Sequence, residues 1–293
     1  IYIGSGEQLI VWDKYGKFKR VLSKKGNDPQ SYLHFNHFMI WPNGDLSIAS
    51  PIEIVTYSNS HQFINKKRCE NVGYIEAITL LNDSLYIIKC MPTPEQLRYR
   101  IINHHTGAII NSYDSIINCN RYICSFTNSF ERYEGHIISH GYQSNDILEC
   151  TLDSSKIRYK INVDNRIPPA GFYTQEGKEG MQLIQEEAEK GYIGHIPDYV
   201  ESKETILLSF KGKREDLNGI ALIDKKDGNA RVLENIKFDD NFRWLPKQFF
   251  SLDEGWCAML MYPEDVLKKE EFARRFPGLD EESNPVLFIG KLR

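Results

Sequence analysis

Apolar and polar residues alternate in short runs from the first residue onward, and the runs are interrupted every few positions by Gly, Asn, Asp or Ser. Residues 1–32, IYIGSGEQLIVWDKYGKFKRVLSKKGNDPQSY, contain one complete pattern. Ile1 and Ile3 flank a tyrosine, residues 9–13 form a second alternating run, Tyr15-Gly16 is a turn, and residues 17–22 form a third run. This pattern predicts a three-stranded antiparallel meander.

The run recurs. Ile1-Tyr2-Ile3 is matched by Leu46-Ser47-Ile48, Leu85-Tyr86-Ile87, His136-Ile137-Ile138, Ile206-Leu207-Leu208 and Trp256-Cys257-Ala258, mostly just after turn residues such as Asn43-Gly44-Asp45 or Asp253-Glu254-Gly255. The six copies start 45, 39, 51, 70 and 50 residues apart, close to the roughly 40 to 50 residues of a propeller blade except for one. Before each aligned run, across a polar turn, another strand is expected at residues 36–41, 75–80, 123–128, 195–200 and 247–251. After it a third strand and a hairpin to a fourth are expected: 52–57 then 62–66, 98–103 then 108–112, 147–151 then 156–161, and 218–224 then 230–234. The hairpin turns carry the Asn, Asp, Ser and Gly chemistry such turns need.

Four strands per unit and six units predict an all-β chain: a six-bladed β-propeller of four-stranded antiparallel blades. One domain is expected over residues 1–293, with blades near 1–33, 34–70, 71–116, 117–164, 165–236 and 237–293. With strands lettered a to d from the axis outward, the first blade begins at b and the last stops after c. The expectation is that closing strands lie upstream of Ile1, which removes open sheet edges. Two helical insertions interrupt the rhythm: residues 181–190, ending at Gly191, and 263–276, with Pro263 at the start, Arg274-Arg275 late and Pro277-Gly278 as the stop.

A hydrophobic fraction of 41% with aromatics at 12% suits a strand-rich globular chain. A net charge of −4 gives no basic footprint for phosphate neutralisation, so no nucleic-acid partner is expected. No apolar run approaches the roughly 20 residues that span a bilayer. Six cysteines are too few for a disulfide framework at this length and leave the redox compartment open.

Chemical motifs are scarce. No nucleophile elbow, phosphate loop, metalloprotease helix or dinucleotide fingerprint occurs, so no catalytic residue and no cofactor are assigned. Cys119, Cys124, His136 and His140 have zinc-ligating atoms, but their spacing fits no tight ligand pattern, so no metal is expected. Asp224-Lys225-Lys226-Asp227-Gly228-Asn229 lacks the alternating oxygens of a calcium loop and reads as a hairpin.

The run VWDKYGKFKRVLSKKGNDPQSY resembles the "YD-x-x-G-K-F … G-x-G-P-x-E-Y" blade junction of the six-bladed β-propeller lipoproteins common in Bacteroidetes, relatives of NHL-repeat propellers. Asp280-Glu281-Glu282-Ser283-Asn284-Pro285-Val286-Leu287 is similar to that family's C-terminal "D-N-P-V-L" strand, and the helical insertion ahead of Gly191-Tyr192-Ile193-Gly194-His195 is similar too. The chain departs at Asp28-Pro29-Gln30-Ser31, where the family often has Gly-Pro-Gly-Glu. The resemblance implies export to the periplasm or outer membrane, with membrane contact only through an N-terminal lipid anchor preceding this chain. It brings no catalytic residues.

In a propeller the a–b and c–d turns share one end, and the b–c and d–a connections share the other. Both insertions and the residue 90–97 segment are b–c or d–a connections, and long loops on a rigid scaffold concentrate function. The candidate ligand-binding residues are therefore those leading into each a strand at that mouth: His34 and His37, Tyr74 and Glu76, Arg121 and Tyr122, His195 and Asp198, Arg243 and Trp244. Aromatics beside charged donors suit a small ligand, glycan, peptide or envelope protein. The competing reading is that these side chains only line a water-filled channel. The expected function is noncatalytic binding by a monomer. The alternative is a lyase or hydrolase acting on a sugar or peptide through His and carboxylate groups at the same mouth.

Overall fold

The structure, a computed structural model, describes the chain except residues 6, 14–16, 23, 70–71, 92–96, 116–129, 141–144, 164, 170, 176, 195, 235, 240–241, 245, 247–248, 253, 269, 284 and 293. The alternating runs form antiparallel sheets in chain order. The first sheet holds β1 (Tyr2–Ser5), β2 (Gln8–Trp12) and β3 (Phe18–Leu22). The second holds β4 (His37–Ile40), β5 (Leu46–Ser50), β6 (Glu53–Tyr57) and β7 (Phe63–Arg68). The third holds β8 (Ile75–Leu80), β9 (Leu85–Cys90), β10 (Leu97–Asn103) and β11 (Ile109–Ser115). Next come β12 (Glu131–Tyr133), β13 (His136–His140), β14 (Asp146–Cys150) and β15 (Ser155–Lys160), then β16 (Tyr199–Glu201), β17 (Thr205–Phe210), β18 (Gly219–Asp224) and β19 (Ala230–Val232). A hairpin of β20 (Ile236–Asp239) and β21 (Phe242–Trp244) precedes the last sheet, β22 (Phe249–Ser251), β23 (Trp256–Met261) and β24 (Val286–Lys291). The fold is a six-bladed β-propeller in which, among the described residues, the first and last blades have three strands and the others four.

The middle strands explain the long apolar runs. Every residue of β5 and of β6 is buried, as expected for strands covered on both faces, whereas the outer β3 and β19 are largely exposed and the outer β7 is mostly half-buried.

The chain divides into two compact units. The first comprises residues 1–130, 149–156 and 171–181, and the second 131–148, 157–170 and 182–293. The first is built on two apolar clusters, one around Met39, Trp41, Ile75, Tyr86 and Ile88, the other around Leu9, Tyr32, Leu46, Ile48 and Tyr57. In the second, Tyr133, Ile138, Tyr199, Ile206 and Leu208 form one cluster, and Val200, Phe249, Met259, Met261 and Val266 another. Each fully buried Leu, Ile or Phe in these clusters stabilises the fold by about 1.5–3 kcal/mol relative to exposure.

Three expectations need correction. The first strand of the fourth blade was expected at residues 123–128, which lie outside the described residues. The strand that pairs with β13 is β12, because Glu134 and Gly135, both at positive φ (49° and 76°), close a two-residue turn that must follow Tyr133 directly. The β20–β21 hairpin was not expected at all, and it places Arg243 and Trp244 within a strand rather than on the approach to β22. The helix expected over 263–276 is two, α2 (Pro263–Leu267) and α3 (Glu270–Arg275), whereas α1 (Gly180–Lys190) matches its expected span closely. Val266 of α2 and Phe276, just after α3, pack against the same apolar cluster.

At the junction where the chain departs from the "G-x-G-P-x-E-Y" pattern, Asp28 shapes the turn. Its carboxylate accepts from the Gln30 amide at 2.8 Å and from the Ser31 hydroxyl, and the fully buried Tyr32 that follows donates its hydroxyl to Glu7 O at 2.8 Å.

Candidate functional site

The strand order fixes which ends of the strands meet. The first residues of a and c strands and the last residues of b and d strands lie at the end shared by the b–c and d–a connections. In the first unit that end gathers His37 from β4, Glu76 from β8, Lys89 from β9 and Arg98 from β10. Asn36 Nδ2 donates to Ile75 O at 2.7 Å, which ties the approach to β4 onto the start of β8.

Glu76 is there because of a bulge. Ile75 pairs with Cys90 and Ala77 with Lys89, so Glu76 is an extra residue on the inner strand. Bulges of this kind re-aim a side chain out of the ordinary alternation. Glu76 is 6% exposed and Lys89 1% exposed, and the Lys89 ammonium lies 4.0 Å from Glu76 Oε2. Neither Glu76 oxygen has a hydrogen-bond partner among the described residues. Burial pushes the Glu76 carboxyl above its ordinary value, against the opposing pull of the Lys89 and Arg98 charges. Desolvation lowers the His37 imidazole to about 4, and the Lys89 charge adds to the effect, so the ring is neutral at pH 7. Its Nδ1 is buried without a hydrogen-bond partner among the described residues.

In the second unit the same end gathers Glu131, His140, Asn145, Asp198 and Ser209. His140 Nδ1 lies 2.6 Å from Ile196 O, and its Nε2 lies 3.7 Å from Glu131 Oε1. Asp198 is 2% exposed. Its Oδ2 accepts from the Ser209 hydroxyl at 2.6 Å, while Oδ1 has no partner among the described residues. Burial raises the Asp198 carboxyl, opposed by the Ser209 hydrogen bond and by the Lys211 and His140 charges. Both side-chain polar atoms of Asn145 are likewise buried and unbonded among the described residues.

The opposite end of the second unit holds a carboxylate in a contrasting state. Glu201, with a fully buried side chain, accepts from Arg158 Nε at 3.0 Å and Nη2 at 2.9 Å, Tyr199 at 2.7 Å, Tyr159 at 3.0 Å and Lys225 at 2.6 Å. Burial alone would raise its carboxyl; the Arg158, Lys225 and Tyr199 hydrogen bonds outweigh burial and hold it low. Every polar valence there is used, so this node is structural. Glu76 and Asp198, at the b–c and d–a end, keep hydrogen-bonding capacity that the described residues do not fill, which native proteins seldom leave without cause.

The residues proposed from sequence are distributed as follows. His37 and Glu76 come together within the first unit. His34 lies apart from them, exposed, with Nδ1 3.2 Å from Glu7 Oε1. Tyr74 is half-buried and accepts from the Met91 amide through its backbone carbonyl at 2.8 Å. Asp198 is buried in the second unit. Arg121, Tyr122 and His195 lie outside the described residues, as do the side chains of Arg243 and Trp244. Of the zinc candidates, Cys119 and Cys124 also lie outside the described residues; His136 is exposed and His140 is buried. Sequence reasoning missed Lys89, Arg98, Glu131, Asn145 and Ser209. Lys89 had a readable signal, a lone charge in the apolar run Leu85-Tyr86-Ile87-Ile88-Lys89-Cys90.

A profile for a family described as a domain of unknown function, DUF4934, matches residues 1–291. The chain belongs to the DUF4934 family. This DUF4934 chain is similar in structure to a candidate exported protein of Bacteroides fragilis NCTC 9343, with a TM-score of 0.80 at 11% identity, covering 98% of this chain and 85% of that one. It is also similar to a member of the DUF4221 family from Bacteroides vulgatus ATCC 8482, with a TM-score of 0.55 at 10% identity, covering 97% and 86%. At these identities the likeness shows the propeller fold alone. No curated protein matches the sequence. Among the described residues, no helix of this DUF4934 chain is long and apolar enough to cross a membrane.

Proposed function

We propose that this chain is an envelope-associated propeller that binds a partner protein, peptide or carbohydrate at the end formed by the b–c and d–a connections. The observation that carries this reading is the incompletely bonded carboxylate of Glu76, delivered by a bulge and set against Lys89 beside a neutral His37. A ligand hydroxyl or amide there would satisfy groups that the described residues leave open. Export fits the name of the similar B. fragilis protein. A lipid anchor and kinship with NHL-like lipoproteins of Bacteroidetes rest on the blade-junction sequence in residues 11–32. The test is a panel of oligosaccharides and short peptides scanned for a rise in thermal stability, since a ligand stabilises the native state by mass action. A panel without effect counts against the reading.

Asp198 favours the second reading, a lyase or hydrolase on a sugar or peptide. Its raised carboxyl, beside His140, suits an acid that holds its proton above the ordinary carboxylate range. Turnover of a panel sugar or peptide that stops in Asp198→Asn would establish it; binding without turnover would exclude it for that compound.

A further inference from the structure

A second cleft lies in the first unit, away from the Glu76 group, with a volume of about 590 Å³. Tyr86 lines it. The residue is 1% exposed, and its hydroxyl has no hydrogen-bond partner among the described residues. The phenol is held rigidly: its ring lies edge-on to Trp41 at 6.4 Å and to His104 at 6.5 Å, and Trp41 is anchored through Nε1 to Ser47 Oγ at 2.8 Å. Burial raises the phenol above its ordinary value, so it is a hydrogen-bond donor across the working pH range. Lys67 and Arg68 supply positive charge to the same cleft, and the Lys67 ammonium also donates to His104 O. Val72, Ile102 and Ile109 supply apolar wall. No carboxylate is among the described residues that line it.

Two cations and a fixed, unanswered donor over an apolar wall call for an acceptor that is negatively charged and carries a hydrocarbon body. We propose that this cleft binds a small organic carboxylate with an aliphatic tail, the carboxylate accepting from Tyr86 and facing Lys67 and Arg68 while the tail covers Val72, Ile102 and Ile109. This site is separate from the one proposed above and does not depend on it.

Hexanoate is the probe, with hexan-1-ol as the uncharged control, titrated by amide-resolved NMR. The expected result is saturable hexanoate binding with shifts at residues 67–69, 86 and 102–109, and markedly weaker binding of hexan-1-ol. Tyr86→Phe keeps the ring and its packing, and should weaken hexanoate about tenfold, the value of one hydrogen bond to a charged group. Lys67→Met on the rim should weaken it by a similar factor, and Lys213→Met, at an exposed lysine of the second unit, should leave it unchanged. Absence of saturable binding to the native protein, or unchanged affinity in Tyr86→Phe, overturns the proposal.

Discussion

The Glu76 carboxylate and the Lys89 ammonium lie 4.0 Å apart, both buried, on paired strands whose ladder skips Glu76. A buried ion pair that is not hydrogen-bonded gains little over its desolvation cost. Glu76→Gln removes that counter-charge from the buried Lys89 ammonium, so the variant should fold with some loss of stability in the absence of ligand. Because the folded Glu76 value is raised, its contribution is fully present below the unfolded value and is lost as pH rises through the folded one. The stability of Glu76→Gln relative to the native protein should thus increase from pH 4 to pH 8. Urea midpoints at the two pH values measure this; a relative loss on raising the pH contradicts it.

Glu201 predicts the opposite pH behaviour. Its folded value is held low, so the stability it contributes is present above the ordinary carboxylate value, about 4.3, and is lost as pH falls through the folded value. Glu201→Ala leaves Arg158 and Lys225 without their shared partner and should cost about 3–5 kcal/mol at pH 7. The penalty should shrink on acidification below pH 4, as read by chemical denaturation.

Gly219 sits opposite Phe210 in the β17–β18 ladder, and a Cβ there would come within 2.4 Å of the Phe210 ring. Gly219→Ala should cost about 1–3 kcal/mol through overpacking. Gly219→Ala combined with Phe210→Leu should recover part of that loss, a coupling that a double-mutant cycle detects.

Burial raises the thiols of Cys69 and Cys257 to about 11 and that of Cys90 to about 12. The thiolate is the reactive form. Peptide-level alkylation at pH 8 should therefore leave these three unmodified in the native protein and label them fully in urea. Rapid native labelling of Cys90 would show that the third blade opens locally.

Glu134 adopts positive φ in a two-residue hairpin, where Asn or Gly is better suited. Glu134→Asn should raise stability by roughly 0.5–1 kcal/mol, measured by the shift in urea midpoint.

The architecture was legible because propeller blades repeat locally. β8 occupies residues 75–80, and β10 and β18 lie within one residue of 98–103 and 218–224, as the alternation and turn residues predict. The fourth blade misled because the strand before Glu134-Gly135 is only Glu131–Tyr133, too short to show periodicity. At the candidate site, His37, Glu76 and Asp198 could be named from their position at the start of inner strands. The Glu76 bulge could not, because an extra residue in a ladder is invisible until its partner strand is in register. Lys89, Ser209 and Asn145 lie at the far ends of other strands or on the loops beyond them, and only pairing across the sheet brings such residues to the same end.

The central claim, that a ligand completes the buried groups at the b–c and d–a end, is tested most directly by repeating the oligosaccharide and peptide thermal scan on Glu76→Gln and Asp198→Asn, with Tyr86→Phe as a control. The account predicts at least one compound that raises the melting temperature of the native protein and of Tyr86→Phe, and whose effect is lost in Glu76→Gln or Asp198→Asn. A thermal shift that survives in both carboxylate variants, or no shift with any compound, would contradict it.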